Sequence, residues 1–204
     1  AAEAQTLALD YRLAPEHPFP APLDDALAAY RWLLAQCVAP EQLIVAGDSA
    51  GGHLMLALLL AARDAGLPLP AAGIGLCPWI DLTNSGESMT TNAPYDWIDQ
   101  RMTAQWSAWF WQDADFRNPL ISSTLADLHG LPPLYLQAGS AEILHDMIEA
   151  FAGQARQQGS SVELEVWPNM IHDFQAFGAM LPESKAALAR IGEVIRNYVP
   201  EKIA

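Results

Sequence analysis

Residues 45–54 read VAGDSAGGHL, and no other stretch restricts the fold as much. A short apolar run, 43–47, meets a cluster of glycines and alanines around Ser49, and a nearly unbroken apolar segment follows from Leu54. The run has the length of a buried strand, and residues 50–64 have the length of a helix covered on most sides. A strand that becomes a helix within a few residues presses backbone against backbone. Gly47 and Gly51, two positions either side of Ser49, are where a Cβ is expected to collide. A serine held in such a turn is strained, sits at a helix N-terminus among free amides, and presents its hydroxyl at the sheet edge. The Ala50 N–H is the first donor that the turn offers to an oxyanion. A small-residue turn with no chemistry also satisfies a bare G-x-S-x-G, so the rest of the chain must decide.

A serine hydroxyl becomes nucleophilic only when a base takes its proton. Of the five histidines, His17 lies in a proline-rich turn, His53 is carried away from the sheet edge by the buried segment, His129 is in a loop and His145 begins a helix. His172, in PNMIHDF, follows the last apolar run, where a loop can swing a ring over Ser49. A carboxylate orienting that ring belongs at the end of the preceding strand, between serine and histidine in chain order. Glu142 is the first carboxylate after PLYLQA; Asp146, four residues on, is the alternative, although it also reads as an ordinary first-turn helix acid.

The same alternation runs along the whole chain. Residues 6–9, 43–47, 71–76, 133–138 and 162–167 read as strands. The last alternates Glu163 and Glu165 with apolar residues, as an edge strand with one solvated face does. Between them, Leu23, Leu27, Tyr30 and Leu34 form one helical stripe, Ile148, Phe151 and Ala155 another, and Leu188, Ile191, Ile195 and Tyr198 a third. This predicts an α/β fold with a mostly parallel sheet. Residues 84–131 break the pattern and are expected to form a cap-like insertion over the sheet's C-terminal edge within one domain spanning 1–204. A helix is expected over 99–111, and Trp97, Trp106, Trp109 and Trp111 are expected mainly as packing.

With 51% hydrophobic and 17% charged residues the composition is that of a globular chain. A net charge of −14 repels phosphate backbones and anionic membranes, so nucleic acid is not an expected partner. The longest apolar run, 54–62, is too short to span a bilayer. Cys37 and Cys77 have no metal-like spacing and are expected as two buried free thiols, which suits the cytoplasm. No signal peptide is visible at Ala1.

The segments DYRLAPEHPFPAPLDDALAAYRWL, GDSAGG, LPPLYLQAGSAEILHD and the late H-D-F together resemble the hormone-sensitive-lipase-like branch of the α/β-hydrolases, and the resemblance covers essentially the whole chain. It implies an α/β-hydrolase fold with flanking helices and a partial helical cap. It also implies a serine carboxylesterase that forms an acyl-enzyme, with Ser49 as nucleophile, His172 as base, Glu142 as acid and Ala50 in the oxyanion hole. No cofactor or metal is implied, and the partner is a small-molecule ester, with short acyl chains favoured. An amidase or deacetylase on the same scaffold, or a non-catalytic ligand receptor, is the alternative; His172 argues against the receptor. Glutamate stands where many relatives carry aspartate. The family's H-G-G-G stretch, whose amides complete the oxyanion hole, is not in this sequence, so the resemblance implies an N-terminally truncated esterase lacking its first strands. Whether this chain turns over ester by itself depends on that second donor, since losing one costs about 10²–10³ in rate. A sheet edge left open in this way would admit edge-to-edge pairing into a homo-oligomer.

Overall fold

The computed structural model describes residues 4–199. Residues 1–3, on which the expectation of no signal peptide at Ala1 falls, and residues 200–204 lie outside the described residues. Four strands, β1 (Ile44–Asp48), β2 (Ala72–Leu76), β3 (Leu134–Gly139) and β4 (Val162–Trp167), form one parallel sheet in the order β1-β2-β3-β4. Among the described residues six α-helices accompany them: α1 (Ala21–Ala35), α2 (Ser49–Asp64), α3 (Ser88–Thr91), α4 (Gln100–Trp111), α5 (His145–Gln157) and α6 (Pro182–Tyr198). This is an α/β arrangement with a parallel sheet, as the alternating periods predict.

Parallel strands need crossover helices, and covering both faces accounts for the continuous apolar runs of β2 and β3. Met55, Leu56, Leu59 and Leu60 of α2 and Ile148 and Phe151 of α5 share one core with Leu134, Leu136 and Ala138 of β3. On the opposite face Val194, Ile191 and Ile195 of α6 pack with Ile74 and Tyr135. Leu23, Ala26 and Tyr30 of α1 pack against Leu54, Ala57 and Leu58, so α2 is enclosed from two sides.

Three expectations need correction. Residues 6–9 form no strand and are exposed, because they pair with no neighbouring strand among the described residues. The glutamate face of β4 is only partly solvated. Glu165 accepts the Tyr135 hydroxyl and Glu163 binds Arg190 of α6, because α6 crosses that face. Cys77 is buried, but Cys37 is exposed, having been carried past the end of α1 in a left-handed conformation (φ 58°).

Within 84–131, α4 is capped by Asp99, whose Oδ1 accepts the N–H groups of Arg101 and Met102 at 2.8 and 2.9 Å. That cap fixes the predicted start of the helix. The tryptophans are less uniformly packed than expected: Trp97 is 55% and Trp109 40% exposed.

Candidate active site

β1, β3 and β4 are parallel, so the loops that follow them open at the same edge of the sheet. Ser49 follows β1 directly, Glu142 lies three residues beyond β3, and His172 lies in the loop after β4. The structure brings all three side chains together. His172 Nε2 lies 2.8 Å from Ser49 Oγ, and His172 Nδ1 lies 2.8 Å from Glu142 Oε2. Both His172 (1% exposed) and Glu142 (0%) are buried. The other oxygen of Glu142 accepts the Gly139 N–H at 2.8 Å, which fixes the carboxylate's orientation.

The Ser49 turn is strained as its sequence requires, with φ at 47°, a left-handed conformation that costs a non-glycine residue about 1–2 kcal/mol. Its steric origin differs in one respect from the sequence expectation. A Cβ on Gly47 would lie 2.1 Å from the Gly51 carbonyl oxygen, and one on Gly52 would lie 2.5 Å from Pro78 Cβ. A Cβ on Gly51 meets nothing closer than Asp48 Oδ1 at 3.7 Å. The tight positions are therefore 47 and 52, because Gly51 faces outward from the first turn of α2 while Gly52 faces the β2 loop. Ala50 lies in that first turn, where backbone N–H groups have no partner within the helix.

Burial opposes a charged His172 ring. The Glu142 hydrogen bond and charge, with Asp173 and Asp96, outweigh it and raise the imidazole above its ordinary 6.5. Asp173 sits in a left-handed conformation with Oδ2 3.3 Å from His172 Nε2. Burial, aided by Asp48, Glu142 and Asp96, pushes its carboxyl up to about 6. Asp146, the alternative acid, does not reach His172. Its Oδ2 accepts the Ser88 N–H at 2.8 Å, so it fastens α5 to α3.

His53, His129 and His145 have partners elsewhere. His53 is buried, with Nε2 2.8 Å from the Ile121 carbonyl and its ring edge-on to Phe110, and burial lowers it to about 4. His129 is exposed beside Asp127, and His145 lies beside Asp146. Among the described residues one group has metal-ligand spacing, with donor atoms of Cys77, His172 and Asp173 within 4.8 Å of one another. It shares His172 with Ser49 and Glu142. Burial raises the Cys77 thiol well above its usual range, against the thiolate a metal takes.

Beside Ala50 opens a cavity of about 280 Å³, lined by Leu54, Trp79, Leu82, Trp106, Trp109 and Phe110 among others. Trp106 and Trp109 are therefore walls as well as packing. Sequence reading missed Asn92, Asp96 and Trp97 as neighbours of the site. The Asn92 amide donates to the carbonyls of Ser140 and Glu142, at 3.2 and 2.9 Å. Trp97 Nε1 donates to the His172 carbonyl at 2.8 Å. Only the cap of α4 just downstream marks that stretch in the sequence, and it says nothing of which loops the stretch will touch.

A serine hydroxyl, an imidazole and a buried carboxylate in this order can relay a proton from the serine while the carboxylate holds the ring in one tautomer. The class defined by fold and site is that of the α/β hydrolases. The chain belongs to the alpha/beta hydrolase fold family, whose sequence pattern matches residues 1–176. It is 44% identical to an acetyl-hydrolase of Streptomyces hygroscopicus, over 98% of this chain and 68% of that one. It is 36% identical to an esterase of Acinetobacter venetianus, over 94% of this chain and 64% of that one. Among solved structures, an esterase from the bacterial hormone-sensitive lipase family superposes with a TM-score of 0.91 at 48% identity, covering 94% of this chain and 65% of the other. The esterase EstE5, soaked with p-nitrophenyl butyrate, superposes with the same score at 45% identity, covering 95% and 65%. The chain thus spans about two thirds of the length of these relatives.

Among the described residues no helix is long and apolar enough to cross a membrane.

Proposed function

We propose that this chain carries the catalytic core of a serine carboxylesterase acting on small-molecule esters. The observation that carries the reading is the unbroken series Ser49–His172–Glu142, at 2.8 Å per link, on a strained strand-to-helix turn.

In this mechanism Ser49 Oγ attacks the ester carbonyl carbon as His172 Nε2 takes the hydroxyl proton. The Ala50 N–H, at the positive end of α2, donates to the oxyanion. Collapse of the tetrahedral intermediate breaks the bond to the leaving alkoxide, which receives the proton from Nε2, and the acyl group stays on Ser49. Water then attacks the acyl-enzyme with His172 again as base, releasing the acid and restoring the serine. Glu142 keeps Nδ1 protonated and stabilises the imidazolium that forms twice per cycle. The aromatic cavity beside Ala50 is near the lower end of the usual ligand-pocket range, which supports short acyl or alkyl groups. Residues 84–131 act as the cap-like wall of that cavity.

The test is the intact mass of the protein before and after exposure to a fluorophosphonate, with Ser49→Ala beside it, and hydrolysis of p-nitrophenyl esters of graded chain length. One adduct that Ser49→Ala abolishes, with rates falling as the acyl chain lengthens, is expected. An unlabelled, folded full-length protein would sink the reading.

A further inference from the structure

The two loops that supply the acid and the base are tied together by a third segment. Asp96, in the insertion, accepts the Ile143 N–H on Oδ2 at 2.8 Å, one residue beyond Glu142. Its other oxygen, Oδ1, accepts the His172 N–H at 3.2 Å and the Trp97 N–H at 2.8 Å. A single carboxylate therefore spans the backbones at Glu142 and at His172. Its neighbours strengthen the tie: Asn92 holds the Glu142 carbonyl, and the Trp97 indole holds the His172 carbonyl with its ring 5.8 Å from the imidazole. The loop after β4 is also held near its start, where the Asn169 N–H donates to Ser140 Oγ at 2.8 Å and the Ala141 N–H donates to the Met170 carbonyl at 2.9 Å, but at His172 itself the backbone N–H is held by Asp96.

We propose that Asp96 is a positioning residue, which sets the distance between His172 Nδ1 and Glu142 by clamping the two loops that bear them. This inference rests on the esterase reading of the same site. Proton transfer is steep in distance, and a catalytic group displaced by about 1 Å can cost about 10²-fold in rate. Charges and titratable groups facing His172 come from several elements: Glu142 after β3, Asp173 beside it, Cys77 after β2, and Asp96 from the insertion. Removing Asp96 both takes away one of these negative charges and lets the Glu142 hydrogen bond lengthen. Both effects disfavour the imidazolium.

The test compares Asp96→Ala and Asp96→Asn with wild type in the full-length protein. It reads kcat and KM for a p-nitrophenyl ester across pH, and the downfield His172 Nδ1–H resonance. Asp96→Ala is expected to lower kcat by about 100-fold while KM changes by less than about threefold, since the chemical step and not binding is affected. Asp96→Asn, which keeps one acceptor oxygen, falls between. In both, the acid limb of the rate profile and the titration of the resonance move to lower pH, which loss of folded protein alone would not produce. If Asp96→Ala does not fold, the isosteric Asp96→Asn carries the test. A kcat within about threefold of wild type, with an unmoved resonance, overturns the proposal. A wild type that hydrolyses no ester and takes no label at Ser49 would instead defeat the esterase reading, and the resonance would still report whether Asp96 holds His172 against Glu142.

Discussion

At the scale of single residues, the site is governed by which proton sits where. In the proposed mechanism His172 works as a base only when neutral, yet its surroundings favour the charged form and raise it above 6.5. The folded state thus gains stability from this residue below its unfolded value near 6.5, and loses that gain as pH rises through the raised folded value. Activity runs the other way. The acid limb of kcat/KM is expected to lie above pH 6.5, with hydrolysis lost as pH falls through it. Glu142→Gln removes the negative partner. It should lower kcat by about 10⁴-fold and displace the acid limb downward, as a pH-rate series on wild type and variant would reveal. A variant profile with an unmoved limb would mean that another group governs the titration.

At the scale of elements, the β1–α2 turn separates two glycines that look equivalent in G-x-S-x-G. A methyl at position 47 would press on the Gly51 carbonyl, part of the backbone, which cannot swing aside as a side chain could. Gly47→Ala is therefore expected to destabilise by more than about 3 kcal/mol, or to prevent folding. Gly51→Ala makes only an ordinary contact with Asp48 Oδ1, and alanine is the better helix former, so its unfolding free energy should stay within about 1 kcal/mol of wild type. Urea denaturation of both variants checks the contrast, and equal losses would mean that position 51 is as tightly packed as 47. The pattern of small residues around Ser49 made the turn legible in the sequence. It did not show which glycine meets a neighbour: the crowding at Gly47 depends on how the turn folds its own backbone back, and that at Gly52 on the path of Pro78, which belongs to another loop.

At the scale of the whole molecule, legibility followed the range of the interactions. Strand and helix periods along 21–199 depend on neighbours a few residues apart; they placed β1 to β4 and α2 within a residue, and the three apolar stripes fall inside α1, α5 and α6. The run at 6–9 has the composition of a strand, but a strand exists only with a partner, and the described residues offer none. His172 and Glu142 could be singled out because chain order and strand ends constrain them. Asp96 could not: an acid in an irregular insertion carries no periodic signal, and its proposed role rests on contacts 47 and 76 positions away. The same long reach bears on how the protein comes to life. Ser49 and His172 are 123 positions apart, and they meet only once the strands leading to them lie side by side. Helices form within microseconds, whereas pairing of parallel strands distant in sequence is slow. On dilution from denaturant, the far-ultraviolet helical signal should therefore recover first and the proposed esterase turnover later. Turnover serves as a clock for completion of the sheet, and a return of both signals in step would mean that the strands meet before the helices have consolidated.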